Sequence, residues 1–597
     1  MAPRGTSPAR RPFWFEGRFG WLHLPPAGVA WTGRPGVLLC GAYAQEEVCS
    51  RHGLLLLADA LAAAGIPTLR FDWLGSGDSA GGAVSFAGMV ADVRLGAAAL
   101  VQETGVSTVA LLGLRIGAAA ALTAAAGMGG LAGIGLLAPV LAGQAFLRET
   151  RASASVAPLA LLDPVPRAGA GPLNANGFRW EAGFQQELAA LDLTHAPAPA
   201  VSVLAMAAPG DKRLPQLAAA WSAAGAAPTA HPFAEYPAYM RDPTTHVMPH
   251  AAWAQVVEWA AGLAAPAASI APVTPVAVAD RLAVDDYEEM PCCFGPEARV
   301  FGMLCRPAGQ APAGVAALLL HEGSTHHIGN GGAYVALARR LAAAGIASIR
   351  IDPTGTGDSR SDGSDRNAHY DLERLSEISD AIDVVAAAGS PAVVSFGLCS
   401  GAYTAYQAAL ADERVVGVVT INIQKFVWHY GDDIRVAPGG TMKRTLRSYL
   451  RSMRNPGEWK RALAGDADLI GIARVLAARG LARTGHALRA LLPPKPGSEI
   501  AIVREEMARL GARRAHLHFM FSDEDPGLAE IALHFGGGGR RLKAHPRARL
   551  HVFPRADHHF NGWDARARYF AIVEEAMQAV IAEHGDSLPA ALAVAAE

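Results

Sequence analysis

Short apolar runs alternate along the chain with longer, Ala-rich stretches, and glycine-rich turns separate the two kinds of segment. Residues 109–112, 315–320 and 392–396 are such runs, and their length suits strands that are buried on both faces. Strands that alternate with helices in this way are typical of a mainly parallel sheet flanked by helices. The pattern therefore predicts an α/β fold.

One part of this pattern occurs twice. Residues 61–72 (LAAAGIPTLRFD) correspond to residues 341–352 (LAAAGIASIRID), 280 positions later, and both segments lead into a Gly-x-Gly-Asp-Ser turn. Each copy has the pattern of a helix end, a glycine stop, a strand and a glycine-rich turn. The repeat predicts two related domains in tandem.

Length and composition set the expected domain limits. A chain of 597 residues is too long for a single core. Residues 264–279 are rich in Ala, Pro and Val and carry no charge, as is typical of a linker. The expected organisation is a basic disordered tail at 1–11, a first α/β domain at 12–264, a linker at 265–280, and a second α/β domain at 281–585 with a helical cap at about 430–512.

Charge and cysteine content narrow the class of protein. The formal net charge is −2, so the chain as a whole has no electrostatic footprint for nucleic acid. The six cysteines show no CxxC spacing, which favours a reducing compartment over a disulfide framework. The start of the chain lacks the apolar core of a signal peptide, and no apolar run is long enough to cross a membrane. These observations predict a cytoplasmic protein without a transmembrane segment.

Two pentapeptides have the pattern of a nucleophile elbow, the tight strand-to-helix turn that exposes a reactive side chain above a sheet. They are Gly-Leu-Cys-Ser-Gly at 397–401 and Gly-Leu-Arg-Ile-Gly at 113–117, and each follows an apolar run. The thiol of Cys399 is a competent nucleophile, whereas the guanidinium of Arg115 cannot attack a carbonyl carbon. Chemistry of this kind is therefore expected in the second domain alone.

A thiol nucleophile needs a base to accept its proton and an acid to orient that base. In hydrolases with this elbow the chain order is nucleophile, acid, histidine. Asp525 follows an apolar run and is the preferred acid, with Asp523 as the alternative. His558 follows the last predicted strand and is the preferred base, with His559 as the alternative. The predicted catalytic set is Cys399, Asp525 and His558.

Two backbone N–H groups are expected to hold the negative oxygen of a tetrahedral intermediate. Ser400, directly after the nucleophile, supplies one, and Gly323, in the turn after the apolar run 315–320, supplies the other. A second G-x-S-x-G match, around Ser79, lies in the repeated Gly-Asp-Ser turn and is interpreted as structural. The histidine pair at 326–327 is expected to consist of solvated loop side chains.

With these motifs both halves of the chain resemble the α/β-hydrolase superfamily, in particular its serine aminopeptidase-like and thioesterase-like branches. The resemblance covers nearly the whole chain apart from the tail, the linker and the cap. The first half is also similar to hydrolase-like proteins associated with exosortase and exopolysaccharide gene clusters. It shares their Gly-Leu-Arg-x-Gly-Ala elbow at 113–118 and their Ala-Pro-Val-Leu-Ala-Gly stretch at 138–143. The resemblance implies that arginine at this elbow is a regular feature of such proteins and not a local accident of this chain.

The second half departs from most relatives, which use serine at the active elbow. Its cysteine is similar to that of dienelactone hydrolases and polyhydroxyalkanoate synthases, in which a thiol carries the acyl group, so hydrolysis and acyl transfer both stay open. In the first half, Asp211 and His246 correspond in the repeat to the acid and the histidine of the second. Together with Arg115 they are interpreted as the remnant of an inactive site, in which Arg115 binds a carboxylate or phosphate or pairs with Asp211.

The expected cap is strongly cationic. Residues 441–495 hold twelve Lys or Arg against three acids. Arg447, Arg451 and Arg454 recur at helical spacing opposite apolar side chains, which predicts an amphipathic helix. Such a face is either simply solvated or binds an anionic partner, such as a phosphopantetheine carrier, coenzyme A, a lipid phosphate or an anionic polysaccharide precursor.

The sequence contains no P-loop, dinucleotide fingerprint, zinc-ligand spacing or nucleic-acid motif, so neither a cofactor nor a metal is expected. It predicts an enzyme that hydrolyses or transfers the acyl group of a small-molecule or carrier-bound ester or thioester. Two alternatives stay open: a thiol-dependent lactone hydrolase of the dienelactone type, and a non-catalytic binding or assembly protein of exopolysaccharide biosynthesis.

Overall fold

The structure is a computed structural model that describes residues 8–584, apart from 32, 158–159, 161–164, 167–170, 265–274, 324, 362–369, 371 and 430–494. The chain forms two compact units. The first unit contains the residues up to 312 together with 323–367. The second contains residues 313–322 together with the chain from 368 onward.

Strands and helices alternate through most of the described chain. The strands are β1 (Ala9–Phe15), β2 (Arg18–Leu24), β3 (Gly36–Cys40), β4 (Thr68–Phe71), β5 (Val109–Leu114), β6 (Leu131–Leu137), β7 (Leu173–Ala175), β8 (Phe178–Trp180), β9 (Ser202–Ala207), β10 (Thr229–Pro232), β11 (Val278–Ala279), β12 (Leu282–Ala283), β13 (Tyr287–Phe294), β14 (Val300–Pro307), β15 (Val315–Leu320), β16 (Ser348–Asp352), β17 (Ala392–Leu398), β18 (Val415–Ile421), β19 (His516–Ser522) and β20 (Ala548–Phe553). The helices are α1 (Gln45–Ala63), α2 (Phe86–Thr104), α3 (Ile116–Ala125), α4 (Gly143–Val156), α5 (Ala182–Ala190), α6 (Arg213–Ala223), α7 (Tyr236–Tyr239), α8 (His250–Ala261), α9 (Ala333–Ala343), α10 (Leu375–Ala387), α11 (Ser400–Ala411), α12 (Glu499–Ala512), α13 (Leu528–Phe535) and α14 (Trp563–His584).

The first unit is built on a sheet with a parallel half and an antiparallel half. Its strand order is β10-β9-β6-β5-β3-β4-β2-β1-β11, in which the strands from β10 to β4 are parallel. The remaining three strands, β2, β1 and β11, are antiparallel to their neighbours. The unit also contains the antiparallel series β12-β13-β14-β16 and the helix α9.

The second unit contains a parallel array in the order β15-β17-β18-β19-β20. β15, β17 and β18 are almost wholly buried and apolar, as expected of parallel strands that helices cover on both faces. The carboxyl ends of parallel strands meet at one edge, so the loops that follow these strands converge there. The predicted α/β fold is confirmed in both units.

The two Gly-Asp-Ser turns have the same local structure. After β4, the carboxylate of Asp72 accepts a hydrogen bond from the N–H of Asp78 at 2.9 Å, and the Ser79 hydroxyl donates to the Asp72 carbonyl oxygen at 2.7 Å. After β16, Asp352 accepts from the N–H of Asp358 at 2.8 Å, and the equivalent serine closes the turn in the same way. Ser79 is therefore a structural residue, as its place in the repeat predicts.

Within the first unit, the aspartate of each turn forms an ion pair with the arginine on the strand that precedes the other turn. Arg70 on β4 pairs with Asp358 at 2.6 Å, and Arg350 on β16 pairs with Asp78 at 2.7 Å. The two arginines lie 280 positions apart, and so do the two aspartates. All four side chains are buried, and a buried charge is stable in a protein when it is paired. The exchange therefore fixes how the two copies of this turn meet.

The prediction of solvated side chains at 326–327 is wrong, because both histidines are buried. His327 lies between two carboxylates, with Nδ1 2.6 Å from Asp352 and Nε2 2.6 Å from Asp78. Burial opposes a charge on the ring, but the two carboxylates outweigh it and raise the pKa of His327 to about 10. The ring is therefore an imidazolium that joins the two turns.

Two strands start inside the segments expected to be a tail and a linker, and most of the expected cap lies outside the described residues. β1 begins inside the expected N-terminal tail, and β11 lies inside the expected linker 265–280, where it pairs with β1. Most of the expected cap, residues 430–494, lies outside the described residues, and α12 is its described end. The compact units have limits of their own, so the domain limits 12–264 and 281–585 stay predictions about the repeat.

The six cysteines are free thiols, and no pair of them forms a disulfide. Within the described ranges, no helix combines the length and the apolar character that a membrane span requires.

Candidate active site

Cys399 lies at the turn between β17 and α11, at the carboxyl edge of the parallel array. Its backbone has φ 52° and ψ −112°, a conformation that a residue with a side chain rarely adopts. A Cβ on Gly397 would lie 2.1 Å from the carbonyl oxygen of Gly401, and a Cβ on Gly401 would lie 2.3 Å from that of Leu320. Glycine at both positions therefore permits the tight turn that presents the thiol above the sheet.

Asp525 lies in the loop after β19, and its carboxylate is buried. Oδ1 accepts hydrogen bonds from the N–H of Gly527 at 2.8 Å and from the side-chain amide of Gln424 at 2.9 Å. Oδ2 lies 2.6 Å from Nδ1 of His558. The structure thus brings together the preferred acid and the preferred base, and it holds the carboxylate in one orientation.

His558 lies in the loop after β20, with 32% of its side chain exposed. Burial opposes protonation of the ring, but the charge of Cys399 and hydrogen bonds to Asp525 and Cys399 outweigh it and raise the pKa of His558 well above its ordinary value. Since Nδ1 faces Asp525, Nε2 is the ring nitrogen left for the thiol. An imidazole held in this way can take a proton from sulfur and keep it beside a carboxylate.

Asn422, directly after β18, fixes the histidine loop. Its side-chain amide donates to the carbonyl oxygen of His558 at 2.7 Å, and its Oδ1 accepts from the N–H of Ser522 at 3.0 Å. Asn422 therefore ties the end of β19 and the loop after β20 to the end of β18 at the carboxyl edge. The sequence analysis missed both Asn422 and Gln424, for which the one available signal was a pair of amides just after the apolar run 415–421.

A second carboxylate–imidazole pair lies at the same edge. Glu322 follows β15 and is buried, and its two oxygens lie 2.9 and 3.0 Å from Nδ1 of His559. Burial disfavours both charges, but the pair overcomes it: the pKa of Glu322 is lowered and the pKa of His559 is raised. His559, the alternative base, is therefore held against Glu322, which favours the charged form of its ring.

The expected oxyanion donors differ in their surroundings. Ser400 is buried and is the first residue of α11. N–H groups in the first turn of a helix have no acceptor within the helix and favour negative charge, so Ser400 is well placed as a donor. Gly323 belongs to the first compact unit, and its role as the second donor stays a prediction.

The first copy of the elbow has the same backbone but different chemistry. Arg115 lies between β5 and α3 with φ 56° and ψ −119°, close to the values at Cys399. Its Nε lies 2.7 Å from a carboxylate oxygen of Glu46, and its guanidinium lies over the rings of Phe146 and Tyr236. This geometry therefore pairs the arginine with an acid that the sequence analysis did not consider.

The other residues of the first-copy remnant bond to the backbone. Asp211 accepts from the N–H of Arg213 at 2.9 Å, and Nδ1 of His246 lies 3.3 Å from the carbonyl oxygen of Cys49. The basic-face residues Arg447, Arg451 and Arg454 lie outside the described residues.

One group of side chains in the first unit has donor atoms at metal-ligand spacing. Atoms of His327, Asp352 and Asp358 lie within 4.8 Å of one another. Asp358 is already paired with Arg51 at 2.8 Å and with Arg70 at 2.6 Å. An imidazolium at His327 has no lone pair for a metal. The arginines and the charged ring thus supply the positive charge that a cation would bring.

Residues 317–572 match the model of a family described as the alpha/beta hydrolase family. The matched segment contains Cys399, Asp525 and His558. No protein of curated function matches the chain.

Among the solved structures that the chain resembles, three examples each cover less than half of it. A cold-adapted esterase from an Arctic intertidal metagenomic library is 17% identical, with a TM-score of 0.30, over 49% of this chain and 96% of that one. The esterase domain of a Rhodothermus marinus protein is 18% identical, with a TM-score of 0.30, over 43% and 98%. A proline iminopeptidase of Mycobacterium smegmatis is 15% identical, with a TM-score of 0.30, over 49% and 99%.

Proposed function

We propose that this chain, whose residues 317–572 match the alpha/beta hydrolase family, cleaves an ester or thioester with Cys399 as nucleophile, His558 as base and Asp525 as orienting acid. The observation that carries the proposal is the 2.6 Å contact between His558 and Asp525 beside a thiol on a strained elbow turn. A carboxylate, an imidazole and a thiol in this order form a complete relay for covalent acyl chemistry.

The first half of the reaction acylates the enzyme. Nε2 of His558 takes the thiol proton of Cys399, and the sulfur attacks the acyl carbon. As the C–S bond forms, the carbonyl electron pair moves onto oxygen, which accepts a hydrogen bond from the N–H of Ser400. The bond between the acyl carbon and the leaving alcohol or thiol then breaks, and His558 gives the proton to that leaving group. Asp525 keeps the ring oriented and stabilises its charge throughout.

The second half releases the acyl group from the sulfur. Water enters where the leaving group left, His558 takes its proton, and the oxygen attacks the thioester carbon. The sulfur departs with the proton that His558 returns, so a carboxylic acid and free enzyme result. An alcohol, amine or thiol in the position of the water would make the protein an acyltransferase, and measurement of product partition between water and added acceptors separates the two reactions.

The first copy of the elbow takes no part in this chemistry. A guanidinium that is paired with Glu46 offers no nucleophile, so we assign the first half a structural role. Six free thiols also support the expected reducing, cytoplasmic setting.

The assignment is tested by turnover of p-nitrophenyl esters and acyl thioesters. Cys399→Ala is expected to lose kcat/KM by about 10³-fold or more, because the covalent route is removed. Cys293→Ala is the matched control, since Cys293 is an exposed free thiol, and it is expected to match the parent. Turnover at the parent's rate in Cys399→Ala would overturn the assignment.

We further propose that the substrate or its carrier is anionic, on the strength of the basic segment 441–495. Charge reversal of Arg447, Arg451 and Arg454 to Glu is expected to lower kcat/KM for an anionic acyl substrate at low salt and to spare a small neutral ester. The Debye length falls from about 30 Å at 0.01 M salt to about 10 Å at 0.1 M, so the parent should lose its advantage over this range. Equal effects on neutral and anionic substrates would return this segment to a solvated face.

A further inference from the structure

Tyr370 lies at the active site and has no part in the mechanism above. Its ring stacks on Trp428, with the centroids 3.8 Å apart and the planes at 7°, and it meets the ring of Tyr403 at 5.4 Å. Tyr403 is in the first turn of α11, where its N–H donates to the carbonyl oxygen of Cys399 at 3.3 Å. Two aromatic rings therefore hold the phenol beside the elbow.

The Tyr370 hydroxyl is buried close enough to the nucleophile to be influenced by its charge. Its oxygen is buried, and in the described part of the chain no atom stands in hydrogen-bonding position to it. The titratable group whose charge acts most strongly on it is the thiol of Cys399. A buried phenol without an acceptor has its donor strength unused, and an acceptor that arrives beside it can take up that hydrogen bond.

The protonation state of this phenol suits a donor. Burial raises the pKa of Tyr370, and the charge of Cys399 raises it further. The hydroxyl therefore keeps its proton through the pH range in which the imidazole works. It can donate a hydrogen bond at every step of the reaction and does not compete with His558 for the thiol proton.

We propose that Tyr370 is a catalytic residue that donates its O–H to the substrate carbonyl oxygen as that oxygen becomes negative. The inference rests on the proposed function. The carbonyl oxygen is one bond from the carbon that the sulfur attacks, so a donor held beside the elbow can reach that oxygen once the C–S bond forms. An oxyanion accepts far more strongly than the sulfur, and a bond that strengthens in this way lowers the barrier.

The role requires no proton from the phenol. The thiol proton goes to His558 and then to the leaving group, as before, and the electron pair of the carbonyl stays on the oxygen until the intermediate collapses. Tyr370 and the N–H of Ser400 share that oxygen as donors. A side-chain donor would thus supplement the backbone donor, and it would do so from within the second compact unit.

The test compares Tyr370→Phe with Tyr403→Phe, which removes the hydroxyl of a neighbouring ring in the same stack. Tyr370→Phe is expected to slow the acylation step, read as single-turnover release of p-nitrophenol, by about 100-fold, as loss of one oxyanion donor does, with KM within about threefold of the parent. Alkylation of Cys399 by iodoacetamide displaces iodide from a saturated carbon and forms no oxyanion. Its rate is therefore expected to stay within about threefold in both variants, as is acylation in Tyr403→Phe.

Each result decides the matter. Acylation at the parent's rate in Tyr370→Phe overturns the inference, and so does an equal loss of acylation and alkylation, which would place the effect on the sulfur or on the fold. If Tyr370→Phe unfolds at a lower temperature than Tyr403→Phe, O-methyltyrosine at position 370 keeps the ring and removes the donor, and the same loss is expected. If acyl release by the parent does not depend on Cys399, the proposed function fails and the inference fails with it.

Discussion

The Asp525 carboxylate shows how single residues prepare the site. Two donors, the N–H of Gly527 and the amide of Gln424, occupy one oxygen, so the other is left for Nδ1 of His558. This arrangement orients the ring so that Nε2 is the nitrogen left for the thiol, and it stabilises the ring once Nε2 carries the thiol proton. Burial of the Asp525 carboxylate costs free energy, and these three charge-assisted contacts offset that cost.

Replacement of the Asp525 carboxylate by an amide is the most direct test of its role as the acid that orients His558. An amide at 525 can donate to Nδ1 and so favours the wrong tautomer, and we expect Asp525→Asn to lower kcat by about 10³- to 10⁴-fold. Asp523→Asn, two positions away in the same loop, is expected to stay within about threefold. Comparable losses in the two variants, measured with one p-nitrophenyl ester, would show that the sequence alternative Asp523 is the acid after all.

At the scale of elements, the first unit depends on two turns that exchange charges. Asp78 and Asp358 each pair with an arginine on the strand that precedes the other turn, and His327 links Asp78 to Asp352. Such buried pairs contribute little net stability, but loss of one partner leaves the other charged and unpaired. The turns are therefore expected to be sensitive to the protonation of His327.

The pH dependence follows from the sign of this shift. The pKa of His327 is raised to about 10 in the folded protein. Below about pH 6.5 the ring is protonated in both the folded and the unfolded chain, so the stabilisation that goes with this raised pKa is fully present in the free energy of unfolding. As pH rises from there toward 10, the unfolded chain loses this proton first, and the free energy of unfolding falls by up to about 1.4 kcal/mol per pH unit.

The measurement is urea unfolding of the parent and of His327→Gln at pH 6, 7.5 and 9. The difference in unfolding free energy between the two proteins is expected to shrink as pH rises. His195→Gln, which changes an exposed histidine, controls for general pH effects and is expected to follow the parent. A difference that stays constant or grows with pH would mean that His327 is neutral in the folded protein.

The elements themselves were largely predictable from sequence, whereas their polar partners were not. Apolar runs and Gly-x-Gly-Asp-Ser turns gave the strands, the repeat and both elbows, because these depend on local pattern and backbone sterics. The partners of His327 lie 25 and 249 positions away, and Gln424 meets Asp525 across 101 positions. Contacts of that kind depend on strand order, and an isolated Tyr370 or Asn422 in the sequence carries no sign of it.

At the scale of the whole molecule, the same elbow turn occurs twice and carries a different side chain in each copy. Arg115 and Cys399 share a backbone conformation, but the first is paired with Glu46, whereas the charge of the second raises the pKa of His558. The proposed division of labour is therefore structural support from the first half and acyl chemistry from the second.

Removal of Arg115 separates these two roles. Burial raises the pKa of Glu46 against the pull of Arg115, so Arg115→Met leaves a buried carboxylate without its strongest partner and is expected to lower the unfolding temperature by several degrees. Turnover per folded molecule is expected to stay within about tenfold. Addition of Glu46→Gln should restore part of the stability. A loss of turnover as deep as that of Cys399→Ala, in protein that is still folded, would mean that the first half takes part in the reaction.

The most direct test of the central claim is to trap the acyl group. Parent protein carrying Cys293→Ala is mixed with p-nitrophenyl acetate, quenched in acid within the first turnover, and mapped by peptide mass spectrometry. We expect one acetyl group, on the peptide that contains Cys399, which neutral hydroxylamine removes and which Cys399→Ala lacks. Steady turnover with no acyl group on Cys399, or with the group on another side chain such as Ser400, would contradict the account.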